Sequence, residues 1–499
     1  MKRFLIVLLA ALACLTGCSS KTPSDATSAA PSDQSNTTPS DDPKTTTLPS
    51  DLSSLFAPTV REDQNYTVGA LTENGSYIAA NYATVDGATV QKYPRLTNLA
   101  TLYLNFPNDR GLDAVQHGIY TDATYTFVDQ YVEDSYYELP LQIKGRGNYS
   151  WSFAQKPYSL KLGEKADFLG MGAAKKWTLI TVSSDHTMMH NYLTQKMAAA
   201  MGLRGTCENE YVDVVVNGEY AGTWVLTEKI QIHEERIDVP DDVGVLFEIE
   251  MVYRHTCDTC IILYEDSNRS NSVHLRLKTY KGVDLEDMDQ RAKDAALAEL
   301  QPFFNGLSDA FTREKTLEAI SQYIDVDSFV NWYLLNELTR NYDSQFVTSC
   351  YCYIDETGRL YMGPVWDFDT CYGTQDPQID GYRVKNAPWY TQLFECEAFV
   401  RLVCERWTEL KNNGLIDAFC ASIDQTALRI AASEQLNHAL YPHSELGSSD
   451  FDEAVEYFKS WLDARIAWMD GEFLLTGGTA SAIPSQTTTA ATTTRRPRG

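Results

Sequence analysis

The stretch from Asp325 to Gly373 constrains this chain most, because a helical pattern, an acidic loop, a hairpin and a second acidic loop follow one another without interruption. Phe329, Val330, Tyr333, Leu334 and Leu338 recur at helical spacing, with Asp327 placed to cap the N-terminus. Asn341-Tyr342-Asp343 breaks that pattern. Phe346 to Ile354 then reads as a strand, Asp355 to Gly358 as a turn, and Arg359 to Met362 as the returning strand, which runs into Trp366-Asp367-Phe368-Asp369. Folding the hairpin back brings Asp343 toward Asp367. Carboxylates delivered in this way suit a general base and a ligand for a divalent cation.

The chain opens on Lys2-Arg3 and a twelve-residue apolar run from Phe4 to Leu15, the pattern of an export signal and too short to span a bilayer. Leu15-Thr16-Gly17-Cys18 resembles a bacterial lipobox. Residues 1–18 are therefore expected to be a lipoprotein signal peptide, with Cys18 lipidated and the protein exported and anchored through it to the membrane at the bacterial cell surface. Residues 19–60, rich in Ser, Thr, Pro and Asp, read as a disordered tether, and 61–94 as an N-terminal extension. Residues 95–476 are long enough for one large domain or two fused lobes, and 477–499 form a Thr-rich tail. The net charge of -27 argues against nucleic acid as a partner, since phosphate contacts need a basic face. Eleven cysteines include Cys14 in the signal and Cys18. The lone Cys257-Asp258-Thr259-Cys260 lacks further zinc ligands and reads as a local disulfide or free thiols.

Strand patterns dominate from about Ala100: Thr101 to Phe106, Tyr120 to Val132, Leu139 to Lys144, Lys156 to Leu162 and Trp177 to Ile180. Tyr211 to Val216, Asn217-Gly218 and Tyr220 to Thr227 give the clearest hairpin, ending on Glu228. Lys144-Gly145-Arg146-Gly147-Asn148 reads as a turn whose glycines let backbone amides approach a bound group, although a plain tight turn explains it equally. Between Lys144 and Lys176 stand seven Lys or Arg and two acids, a positive segment in an acidic protein that asks for an anion such as polyphosphate. His186 and His190 are four apart on an expected helix from Asp185 to Met201, but the zincin glutamate and a third ligand are missing. Helical spacing returns in Leu285 to Leu307, Lys315 to Ile324, Phe394 to Leu410 and Phe451 to Leu474. Strands first and helices later define an α+β molecule with a sheet-rich N-terminal half and a helical C-terminal half.

Taken in order, Lys144 to Asn148, Lys156 to Lys161, Gly170-Met171 through Trp177, Asp185 to Asn191, Asn217 to Gly222, Thr227-Glu228-Lys229, Asp325 to Asp343 and Trp366 to Asp369 resemble the CotH kinase family over about residues 95–375. The resemblance implies an atypical protein-kinase-like two-lobed fold. It also implies a metal-dependent Ser/Thr kinase that uses ATP with Mg2+ or Mn2+ on a surface or secreted protein substrate, itself included. Asp343 then resembles the catalytic base, and Asp367, with Asp369, the metal-binding acids. Arg146, Lys156, Lys161 and Glu228 resemble ATP-binding groups, and Asn341, Gln345, Asn191 and His190 supporting ones. The family pattern has arginine before Asn191. His190, a weaker and pH-dependent cation, implies reduced nucleotide affinity or drift toward binding alone. The alternative function is a non-catalytic surface module for adhesion or assembly on the same scaffold. Keeping Asp343, Asp367, Lys156 and Glu228 together favours the kinase, and a glycoside hydrolase built on paired acids leaves the lysines unexplained.

Overall fold

Alternating strands of the first half close into a barrel in the computed structural model, which describes residues 49–57, 70–71, 77–78, 93, 95–129, 135–250, 260–262, 273–442 and 450–475. Two short strands, β1 (Ala70–Leu71) and β2 (Tyr77–Ile78), precede β3 (Ala100–Asn105), β4 (Thr121–Val128), β5 (Tyr136–Gly145), β6 (Tyr158–Asp167), β7 (Ala173–Ile180), β8 (Asn209–Val216) and β9 (Glu219–Glu228). The order is β9-β7-β6-β5-β4-β3-β8, and β8 also pairs with β9, which shuts the ring. β3 and β8 run parallel, Leu102 facing Val214. Leu102, Phe127, Ile143, Leu160, Trp177 and Leu226 fill the interior. Closure leaves these seven strands without a free edge.

A second sheet collects β10 (Val245–Glu250), β11 (Cys260–Ile262), β12 (His274–Tyr280), β13 (Val283–Asp284), β14 (Cys350–Ile354) and β15 (Leu360–Met362) in the order β11-β12-β10-β14-β15, with β13 on β12. The helices are α1 (His190–Ala200), α2 (Gln290–Asp309), α3 (Leu317–Ile320), α4 (Val326–Thr339), α5 (Tyr390–Leu393), α6 (Glu397–Asn412), α7 (Leu415–Leu440) and α8 (Phe451–Phe473). Both halves of the α+β expectation are present. In place of two plainly separated kinase lobes, however, there is a seven-stranded barrel, and one continuous core joins α1, the second sheet and the later helices. The reason lies in β8, buried on both faces from Asn209 to Val215 and therefore flanked by a strand on each side.

Other expectations shift locally. Asp325, not Asp327, caps α4: its carboxylate accepts the Ser328 N–H at 2.8 Å. α4 is buried on every side from Ser328 to Thr339, so its apolar spacing marks a central helix rather than a surface one. β14 starts at Cys350 instead of Phe346, because Phe346 and Ser349 hold φ of 62° and 56°, outside any strand. Residues 52–55, within the stretch expected to be tether, form a single turn capped by Asp51, and Phe56 buries 5.7 Å from the Phe419 ring. The signal segment, Cys18, Cys257 and the tail after 475 lie outside the described residues.

One buried acid ties the barrel to α7. Asp213 on β8 accepts hydrogen bonds from Thr97 (2.7 Å), Thr223 (2.8 Å) and Ser433 (3.1 Å). Burial pushes its carboxyl up from the ordinary 3.8 to about 6, against the pull of those hydroxyls. The folded state therefore holds this proton more tightly than the unfolded chain, and stability falls as pH rises from about 3.8 to about 6. Above that window the buried charge opposes folding. Asp213→Asn is expected to raise unfolding free energy in urea at pH 8 by about 1–3 kcal/mol, with no gain left at pH 4. A variant less stable than the parent at both pH values would show that the hydroxyls favour the carboxylate over its acid.

Candidate active site

α4 and the β14–β15 hairpin deliver the acids. After α4 the chain turns through Arg340, at φ 50°, into the short turn Tyr342–Gln345. Asn341 accepts the Asp343 N–H at 3.0 Å and Ser344 Oγ donates to the Asn341 carbonyl at 2.6 Å, which holds Asp343 half-buried at the turn. Gln345 Nε2 donates to the Arg383 carbonyl at 2.8 Å, and the Arg383 guanidinium donates back to the carbonyls of Asn341 (3.4 Å) and Tyr342. Asn341 and Gln345 thus set the loop that carries Asp343.

At the hairpin's far end Asp367 takes φ 70° and receives the Ser349 hydroxyl at 2.9 Å. Phe368 is fully buried, and its N–H donates to Asn191 Oδ1 at 2.8 Å. Asn191 therefore positions the Asp367 turn from α1. Ser184 Oγ donates to Asp369. Burial, reinforced by the charge of Asp367 beside it, pushes the Asp369 carboxyl well up. The buried Cys371 thiol is raised by burial and, after it, by the charges of Asp369, Asp367 and Asp343. Cys350 Sγ donates to the Asp343 carbonyl at 3.5 Å while the neighbouring Ser349 holds Asp367, so the start of β14 touches both acidic turns.

His190 stands behind this turn. It is buried between Tyr372 and Phe458, with both ring centroids 4.9 Å away, and its Nδ1 lies 3.3 Å from the Asp369 carbonyl. Burial lowers its pKa against the pull of Asp185, which leaves it neutral. It braces the acidic turn instead of offering a cation. Asp185 sits ahead of the expected helix, which begins only at His190; its carboxylate accepts the His190 N–H at 2.6 Å.

Of the basic residues in the glycine-turn segment, Arg146 touches the residue before Asp367, its guanidinium 5.2 Å from the Trp366 ring centroid. The turn that carries it does not cradle an anion with its first amides. Gly145 N–H donates to the Gln116 carbonyl and Arg146 N–H to that of Pro157, while a Cβ on Gly145 would come within 2.2 Å of Trp151. Gly145 is there to seat Trp151. Lys156 spends two of its three N–H donors on the carbonyls of Trp151 and Phe153, both at 2.8 Å, and keeps one. Glu228 pairs with Arg236 rather than with a lysine and accepts the Glu208 N–H at 2.9 Å. Lys161 is exposed beside Tyr120, 5.7 Å from its ring centroid and apart from the Arg146–Trp366 contact.

Sequence reasoning missed Ser184, Ser349, Arg236 and Arg383. Each acts through a contact that the fold makes, across eight residues for Arg236 and Glu228 and across 185 for Ser184 and Asp369, and no spacing announces it.

The acids suit a magnesium-like ion. The charge of Asp367 helps to raise the buried Asp369 carboxyl, a repulsion that a divalent cation relieves, and magnesium commonly takes one or two carboxylates while water and substrate phosphates complete its shell. Among the described residues no set of three His, Cys, Asp or Glu forms an all-protein metal cage.

A family model described as "CotH kinase protein" matches residues 143–469. Among curated proteins no relative matches.

Proposed function

As the chain belongs to the CotH kinase family, we propose that it is an exported, lipid-anchored protein kinase that moves the γ-phosphate of ATP to Ser or Thr hydroxyls of surface or secreted proteins. The observation that supports this best is that neighbouring residues at the start of β14 touch both acidic turns, Ser349 the Asp367 carboxylate at 2.9 Å and Cys350 the Asp343 carbonyl at 3.5 Å, with Arg146 held on Trp366 next to Asp367. Asp343 accepts the proton of the attacking hydroxyl as its oxygen bonds to the γ-phosphorus. The bond from that phosphorus to the bridging oxygen of ADP breaks in the same displacement. Arg146 offers planar guanidinium donors to phosphate oxygens, and the remaining Lys156 donor supplies a second positive charge. Lys161 contributes to the general attraction of the anion. Asp367 and Asp369 would hold Mg2+ or Mn2+, which when bound neutralises phosphate charge. Asn191, His190, Asn341 and Gln345 keep the two acidic turns in register. Glu228 acts by fixing Arg236.

Incubating the full chain with labelled ATP and either metal is expected to label the chain itself or an added surface protein. Absence of transfer to any protein, together with no heat of nucleotide binding in calorimetry, would end the kinase reading and leave the scaffold as a binding module.

A further inference from the structure

A groove separates the barrel from the second sheet, and its charge is opposite to that of the protein. A cavity of about 370 Å³ is walled by Lys144 and Lys176 of the barrel, Lys229 beyond β9, Arg276 and Lys278 of β12, and Lys293 of α2, against two lining carboxylates, Asp284 and Glu286. A second cavity of about 350 Å³ adds Lys165 and Lys175 and meets the first at Lys176, Thr279 and Asp284. The cations are spread along the groove instead of converging on one point. Lys176 and Lys229 share Asp284, at 2.8 and 3.7 Å, and Lys278 is balanced by Glu248 at 2.8 Å. Asp287 in the second lining and Glu234 on Lys165, at 3.6 Å, add to the acids, yet the cations of the two linings still outnumber their carboxylates in a chain of net charge -27.

The walls are not only charged. Tyr120, 36% exposed, lines the first cavity with the Lys144 ammonium 4.4 Å from its ring centroid, and Val283, 43% exposed, lines the second. Apolar groups along a basic trough suit a polypeptide, whose side chains can use both, better than a bare phosphate. β10 links the groove to the acidic hairpin: Leu246 lines the first cavity, and three residues on Ile249 pairs with Cys350, next to the Ser349 that holds Asp367.

We propose that this groove docks an anionic segment of the protein substrate, carrying aspartate, glutamate or phosphoserine side chains, beside the residue to be phosphorylated. As a statement about substrate it rests on the kinase reading. Attraction of this kind sets on-rate and selectivity and weakens with salt.

The test measures binding, not catalysis. Fluorescent peptides centred on serine and flanked by Asp/Glu, by phosphoserine, or by Asn/Gln are titrated with the full chain, without nucleotide, and followed by anisotropy. Acidic or phosphorylated peptides are expected to bind at least about tenfold more tightly than the neutral one, and to lose that advantage in 0.5 M salt. The two anionic arms tell carboxylate from phosphate recognition. Lys144→Glu/Lys293→Glu should abolish the preference, and Lys144→Gln/Lys293→Gln, a gentler change, should reduce it; Asp343→Asn should leave it intact. Equal affinity for all three peptides, or a preference that survives both lysine double variants, would overturn the proposal. So would competitive displacement of the peptide by Mg-ATP, since the groove would then hold the nucleotide. Peptide docking without phosphotransfer would count against the kinase reading alone, and phosphotransfer without docking against the groove alone.

Discussion

Asp367→Asn is expected to lower phosphotransfer by about 10³-fold or more, and to remove the response to added manganese together with the activity. The expectation rests on the negative charge that Asp367 places beside the buried Asp369 carboxyl. Asparagine keeps the shape, so Ser349 can still pair with the side chain at its present 2.9 Å and the turn at φ 70° is not disturbed. What disappears is the negative charge that would hold a cation against the phosphates. Asp343→Asn makes the contrast: it is expected to slow turnover about 10²- to 10⁴-fold with little change in nucleotide affinity, because this acid meets the hydroxyl proton and not the nucleotide. Initial rates over a manganese titration, with nucleotide binding followed by calorimetry, separate the two. An Asp367 variant that retained a tenth of the parental rate and the same metal dependence would exclude Asp367 as the metal-binding acid.

How far the sequence alone leads can be seen in those same residues. The helix, the hairpin and its two acidic ends are legible because each is written in local periodicity, period near 3.6 for Phe329 to Leu338 and turn chemistry at Asp355 to Gly358. The α+β division and the family were also within reach, since both depend on the order of such segments. Closure of the barrel was not. It pairs Leu102 with Val214 across more than a hundred residues, and alternation states which face a strand buries but not which strand lies beside it. The same limit applies to charges. Lys156 and Glu228 are visible as ions, yet the carbonyls of Trp151 and Phe153 that hold the one and the Arg236 that holds the other are products of the fold. His190 is the sharpest case. As a letter it is a weak cation; packed between Tyr372 and Phe458 it becomes a neutral brace for the Asp369 turn.

The second large effect is expected from Glu337, near the C-terminal end of α4. Glu337 and Arg465 are both completely buried and joined at 2.9 Å, Arg465 also donating to the Glu337 carbonyl. The Glu337 carboxylate further accepts the backbone N–H groups of Arg383 (2.8 Å), Val384 (2.8 Å) and Lys385 (3.1 Å). Glu337→Ala would strand a buried guanidinium and three backbone donors at once. Loss of one partner of a buried pair costs about 3–5 kcal/mol, and the orphaned amides add to it. The variant is expected to fall by at least that amount in urea unfolding. Glu337→Gln, which can still accept hydrogen bonds, should lose only about 1–3 kcal/mol and remain folded for assay. There the consequence should reach the active centre. The segment held by Glu337 includes Arg383, whose side chain grips the carbonyls of Asn341 and Tyr342, so loosening it frees the turn that presents Asp343. Turnover should drop while the KM for ATP stays near the parental value, because Asp367 and Arg146 are anchored elsewhere, by Ser349 and Trp366. A Glu337→Gln protein that lost stability but kept full turnover would show that Arg383 holds the Asp343 turn without help from α4.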